Sequence, residues 1–436
     1  MEFQAVVLAD HDDGSGTRLY PLLESTPKGL LSVAGRPLIA YQLALLERSG
    51  FKEAIVVTTE KAREALHNFA ESRAGKEGCT SIAIEIVALD EELDTAEVLR
   101  AIKHKIRKDF VVISGDLVTD VYVHHLADVH RIHDSTCTVL LRGPKEVNLK
   151  PGEKKPKNEG AIPDFVGLDE SKTRLLCLQS ASDVEDALIL PRAMLRSQPN
   201  MTITNKMLDA HFYIFSRWVL DLLDAKKEMT SIKCELVPYL IENQFSATPV
   251  PGQPLRQEEE DDDDEDDVKQ SETPAAVQPL RVSALVYESG YCSRADSMHA
   301  FKEMNFELPR HKGSAVPWSD RSSFSDKSED EKKLLFKKVG SECMVGEGFS
   351  CGDKSSIKKS VVGKHCSIGA MVKLVSCIVL DHVTIKDECQ LTGCVIGNNV
   401  HIDKLCTVTN CQIGDKYQME EESEHKNETL VLDDDE

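Results

Sequence analysis

The residues best suited to chemistry lie near the start of the chain. An apolar run at residues 3–8 leads into Asp10-His11-Asp12-Asp13 and then the turn Gly14-Ser15-Gly16-Thr17-Arg18, with Lys28 following in the segment STPKGLL. A glycine-rich turn after a first strand lets backbone N–H groups approach a phosphate, and Arg18 and Lys28 supply charge to neutralise it. Asp and His are metal ligands, so the acidic tetrapeptide leaves two alternatives: an anion site that carries its own ion, or an anion site that has been spoiled. Adjacent loop residues point in different directions, and three carboxylates repel a triphosphate unless an ion is always present. The tetrapeptide therefore reads as a solvated loop insertion, and no metal is assigned to it.

Such residues need a scaffold. Residues 1–246 alternate strand-like and helix-like segments, the pattern of a mainly parallel sheet with helices on both faces. Strands are expected over residues 3–8, 54–59, 82–88, 110–114 and 137–141. A helix is expected over 37–49, where Pro37 suits the first turn and Leu38, Tyr41, Leu45 and Leu46 share a face. A lysine-rich surface loop is expected at 145–157. Residues 247–280 turn to Pro, Gln, Glu and Asp, the composition of a disordered insertion or linker. A strand-then-helix pattern returns over 281–306 and is expected to pack back on the first sheet, and a polar linker follows at 307–335.

Residues 336–418 repeat with a period of 17. Val362, Val379, Ile396 and Ile413 are spaced by it, as are Ile368, Ile385 and Ile402, and Leu374, Leu391 and Val408. Three aliphatic marks per repeat, separated by corners, describe one coil of a triangular solenoid whose stacked coils share an aliphatic column. Cys377, Cys394 and Cys411 share the period and are expected to stack as small apolar side chains rather than as a metal or redox column. Residues 419–436 are expected to form an acidic tail.

The formal net charge of −22 over 436 residues is concentrated in two places: residues 258–267 are all acidic, and residues 420–436 hold nine acids against one lysine. The rest is close to neutral, and an acidic balance excludes a general affinity for nucleic acid. No stretch approaches the roughly 18 apolar residues of a membrane helix, and the start lacks the basic character of a signal peptide. A cytosolic chain is expected, so its 13 cysteines are expected to be reduced thiols.

The glycine turn is joined in order by STPKGLL, GRPLIAYQLALLERSGF, LDTAEVLRAI and VVISGDLVTD. This set resembles the sugar-1-phosphate nucleotidyltransferases, which implies an α/β Rossmann-like nucleotidyltransferase domain followed by a left-handed parallel β-helix of the hexapeptide-repeat type. The resemblance also implies that Asp116 is one of two aspartates that bind magnesium. At the second position, in SGYCSRADSMHAF, Cys292 stands for the expected Trp and Arg294 for the expected Asp. Asp94 replaces a glycine, Gly29 a proline, and Asp10-His11-Asp12-Asp13 a single residue. A fold kept without its metal ligands reads as a scaffold.

The segment TSIKCELVPYLIENQFS, with MEFQAVV, LDTAEVLR and GYCSR, is similar to the gamma subunits of eukaryotic translation initiation factor 2B; the resemblance implies that the epsilon subunits add a helical domain after the β-helix, and an acidic tail is expected there instead. That resemblance implies a non-catalytic subunit of a guanine-nucleotide exchange complex in the cytosol. Its partners would be an epsilon subunit, the other subunits and the substrate translation initiation GTPase, with no cofactor, direct nucleic acid or membrane. Gly14, Gly16, Thr17, Arg18, Lys28 and Asp116 would form a vestigial or regulatory nucleotide site, and Asp116→Asn would leave exchange nearly intact, whereas Ile385→Asp would disrupt folding. The alternatives are an active guanylyl- or uridylyltransferase and, more remotely, a β-helix acyltransferase using His365, His382 or His401.

Overall fold

The structure is a computed structural model that describes residues 2–11, 16–73, 82–143, 164–182, 184, 187–246, 248–254, 278–310, 339–340 and 342–432. The expected loop at 145–157 and most of the two linkers at 247–280 and 307–335 lie outside these residues.

Alternating apolar residues build the first lobe around a seven-stranded sheet. Its strands are β1 (Gln4–Leu8), β2 (Glu53–Thr59), β3 (Ala83–Leu89), β4 (Phe110–Ser114), β5 (Cys137–Arg142), β6 (Leu208–Phe215) and β7 (Val282–Tyr287), in the spatial order β7-β5-β6-β4-β1-β2-β3. β6 runs antiparallel to both its neighbours, and the other pairings are parallel. Both faces are covered, so successive residues of one strand enter different cores. Val6 and Leu8 face one with Phe110, Val112 and Val139, while Ala5 and Val7 face the other with Val56, Val111 and Ile113.

The helices are α1 (Leu38–Arg48), α2 (Arg63–Arg73), α3 (Thr95–Ala101), α4 (Val123–Ile132), α5 (Arg192–Ser197), α6 (Val219–Ala225), α7 (Val237–Asn243) and α8 (Met298–Glu307). α1 begins one residue after Pro37, whose φ of −59° is already helix-compatible. The segment after residue 281 does return to the first lobe, as β7 on the edge of the sheet and then α8. From β1 the chain moves outward through β2 and β3 and then crosses to β4 on the other side of β1. The carboxyl ends of β1 and β4 therefore flank the crevice where the strand order reverses, the place where open α/β sheets bind ligands.

The second lobe is the left-handed β-helix. Its three parallel sheets of six, five and five strands hold equivalent residues in register at the 17-residue period: Val345, Val362, Val379, Ile396, Ile413 and Leu430 form one column. Corners turn through positive φ, as at Asn410 (53°) and Gly393 (71°). A Cβ on Gly393 would lie 2.3 Å from Asn410 Oδ1, so a side chain there would require the Asn410 amide to move, and glycine takes the positive φ without strain. The stack does not stop at residue 418. Strands Gln418–Met419, Glu424–Lys426 and Thr429–Leu430 pair with the coil before them, so residues expected to be an acidic tail form a further coil. Met419 continues the inward column while Glu420 and Glu422 face solvent.

Candidate functional site

The crevice between β1 and β4 is built by close backbone approach. Gly115 N–H donates to Leu8 O at 2.7 Å, and a Cβ at Gly115 would lie 2.5 Å from Ala9 O, so only glycine lets the two strand ends meet. Asp116 follows and is fully buried. Lys28 Nζ donates to its Oδ2 at 2.9 Å, Arg294 Nε and Nη2 donate to Oδ1 and Oδ2 at 2.9 Å each, and Ser114 Oγ donates to Oδ1 at 2.8 Å. Arg294 is placed by a two-stranded antiparallel ribbon, Leu117–Thr119 with Cys292–Arg294, and by Ala295 N–H donating to Asp116 O at 3.0 Å. Burial alone would push the Asp116 pKa up. The Arg294 guanidinium and the Lys28 ammonium overcome burial and hold the carboxyl well below its usual range.

The magnesium implied by the nucleotidyltransferase fold does not fit these residues. Both Asp116 oxygens are engaged by fixed cations, and a second cation at bonding distance would meet Arg294 where a ligand is needed. The expectation that Asp116→Asn is nearly silent also has to be replaced. Removing the carboxylate leaves two buried cations without their counter-ion, a loss of about 3–5 kcal/mol in comparable buried pairs.

The other departures are built into the fold. Asp94 caps α3 in a capping box, accepting from Thr95 N–H at 2.6 Å while Glu97 accepts from Asp94 N–H at 3.1 Å. Asp10 accepts from Gly29 N–H at 3.2 Å and from the Thr58 hydroxyl. His11 is buried, with Nε2 3.0 Å from Asp90 O. Asp10 and His11 are thus anchored residues and not the solvated insertion expected; Asp12, Asp13, Gly14 and Ser15 lie outside the described residues. Gly16, Thr17 and Arg18 fall in the 3-10 turn Gly16–Leu19, and Arg18 is exposed, whereas Lys28 is turned inward to Asp116. Of the six expected nucleotide-site residues, the structure therefore brings together Lys28 and Asp116, and they bind each other.

A second polar group beside this site was not expected. Asp209 and His211 interrupt the apolar run of β6 where its register with β5 shifts, and His211 takes φ +50° with its ring buried. Asp209 accepts from Tyr213 Oη at 2.5 Å and from His211 N–H at 2.8 Å, and Lys233 pairs with buried Asp164 at 2.9 Å. Burial raises the Asp209 pKa to about 6 against the pull of Lys233, and burial followed by the charge of Arg294 lowers that of His211. An Asp and a His inside an apolar strand were the available signal, because buried polar groups need partners. The enclosed space left among His11, Thr95, His211 and Tyr213 is about 10 Å³, room for about one water and not for a nucleotide.

In the β-helix, Cys377, Cys394 and Cys411 are buried and donate to the carbonyls of Val375, Thr392 and Thr409, each at 3.3 Å. Cys389 and Cys406 form a second such pair at another corner. No group of three or more potential metal ligands occurs among the described residues. His365 and His382 stack with ring centroids 5.1 Å apart on the surface, and His401 lies 3.7 Å from Asp403.

Comparison with known proteins follows this geometry. A family described as Nucleotidyl transferase matches residues 4–166, and one described as the EIF2B subunit epsilon LbH domain matches residues 331–424. Over 84% of its length the chain is 31% identical to translation initiation factor eIF2B subunit gamma of Dictyostelium discoideum, covering 88% of that protein. It is 29% identical to the subunit of the same name in Schizosaccharomyces pombe, over 82% of the chain and 74% of the relative. Mannose-1-phosphate guanyltransferase of Kluyveromyces lactis is 26% identical over 53% of the chain and 55% of its own length.

Proposed function

The chain belongs to the eIF2B gamma-subunit family, and on that premise we propose that it is a non-catalytic subunit of the guanine-nucleotide exchange complex that reloads the initiator-tRNA-delivering GTPase. It pairs with the catalytic epsilon subunit, works in the cytosol and acts through surfaces rather than bond chemistry. The observation that carries this reading is the neutralisation of Asp116 by Lys28 and Arg294. Phosphoryl transfer needs a metal that bridges phosphates and a cation free to grip them; here the carboxylate and the lysine hold each other. Gly14, Gly16, Thr17, Arg18, Lys28 and Asp116 are accordingly read as a vestigial nucleotide site, and the sugar-nucleotide transferase alternative loses its metal.

Native mass measurement of the protein recovered from cytosol tests the proposal. The expected result is a stoichiometric complex with a larger paralogous chain, with no turnover of sugar-1-phosphate and nucleoside triphosphate. A homo-oligomer that forms a nucleotide sugar overturns it. Calorimetric titration with GTP, with and without magnesium, should show no metal-dependent binding; magnesium-dependent heat would return the site to a regulatory role.

A further inference from the structure

We propose that the Asp116, Lys28 and Arg294 cluster is a strut between the two lobes, holding in one place the two chain segments that seat the β-helix. Lys28 lies just beyond Thr26, whose hydroxyl donates to Asp415 of the β-helix at 2.9 Å and accepts from Asn398 Nδ2 at 3.1 Å; Ser25 Oγ also donates to Asp415. On the other side, Arg294 leads through Ala295 into α8. Met298, Phe301 and Met304 of α8 share one apolar cluster with Leu31, Val33 and Tyr41 and with Ile378, Leu380 and Val395 of the β-helix.

The two segments also touch each other away from the ions, through Ala34 N–H donating to Asn305 Oδ1 at 2.8 Å. Both Lys28 and Arg294 grip Asp116, which stands just past the end of a central strand. A metal ion held between two carboxylates would link the same segments only while bound. A guanidinium and an ammonium are part of the chain and make the link permanent. Because the cluster is buried, its geometry is carried into the apolar contact instead of being lost to solvent.

Hydrogen-exchange mass spectrometry of the full chain tests this, using variants at both ends of the strut. Arg294→Met should speed exchange on the order of ten-fold not only at residues 114–117 but also in α8 and at residues 378–380 and 395–398, while β3 stays unchanged. Thr26→Val combined with Asp415→Asn alters partly exposed polar groups that the core does not need. It should loosen the far end in return, at residues 27–31 and 292–296, because coupling between sites is reciprocal. Changes confined to the altered end in the second variant overturn the proposal even if Arg294→Met does not fold. Faster exchange spread evenly over both lobes, β3 included, also overturns it, since that is general destabilisation.

Discussion

Arg294 is informative as a single residue because its meaning changes with its neighbours. In the sequence it marks a position where a metal ligand is replaced by a cation. In the structure its two donors fit the two oxygens of one carboxylate, so Arg294 serves Asp116 as a fixed counter-ion. The partner of Lys28 could not be read, since a contact across 88 positions leaves no local pattern. His130 shows the same limit. It lies on α4, a helix that can be anticipated, yet its ring is buried against Phe3 with Nδ1 2.9 Å from Thr138 Oγ1. Burial lowers its pKa to about 4. The unfolded chain takes up this proton as pH falls through about 6.5, and the folded protein does so only near its lowered value. Stability from this residue is complete at neutral pH and should fall by about 2 kcal/mol between pH 7 and 5. Urea midpoints measured at both values should show the decline, and His130→Gln should flatten it.

At the scale of elements, period and charge gave opposite readings of one segment. The 17-residue period runs on through Met419 and Leu430, which sit inward, but the acids among them suggested a solvated tail. A coil has outward positions that tolerate charge, so composition is a poor guide to where a solenoid ends. Six strands of the main sheet were legible for a related reason, since continuous runs such as 110–114 have few other homes. The seventh, β6 at Leu208–Phe215, was not expected, because Asp209 and His211 break its apolar run. The small sheet of Asp164–Leu168, Leu175–Ser180 and Thr202–Thr204 was not legible either. Its strands are short, antiparallel and partly exposed, so their pattern is weak. A chain ended at Tyr417 should lose about 3 kcal/mol or more, because Ile402 and Ile413 lose their cover. One ended at Leu432 should match the full protein in urea titration. Equal midpoints for all three would show that the last coil does not contribute.

At the scale of the molecule, the lobes are separate in sequence character and joined in packing. One outer face of the β-helix is aliphatic, with Val361, Ile378 and Val395 buried although they point away from its own column. That face would otherwise be an exposed apolar surface. Ile378 and Val395 share a core with α8 and the segment around residues 31–41. The two lobes should therefore unfold together, in one calorimetric transition whose van't Hoff and measured enthalpies agree. Two resolved transitions would mean that the shared core is too weak to couple them.

The coil also sets a rule for how this protein can change length. Each turn advances the stack by about 4.8 Å, so the five strands of one face span about 20 Å from first to last. Every inward residue is placed by counting seventeen from the one below. Gain or loss of one whole turn keeps that count and moves the far end by a single step. An insertion of any other size puts polar residues into the column unless a corner bulges to absorb it. The second lobe is therefore a ruler graduated in whole turns, and evolution can lengthen or shorten it only by those graduations.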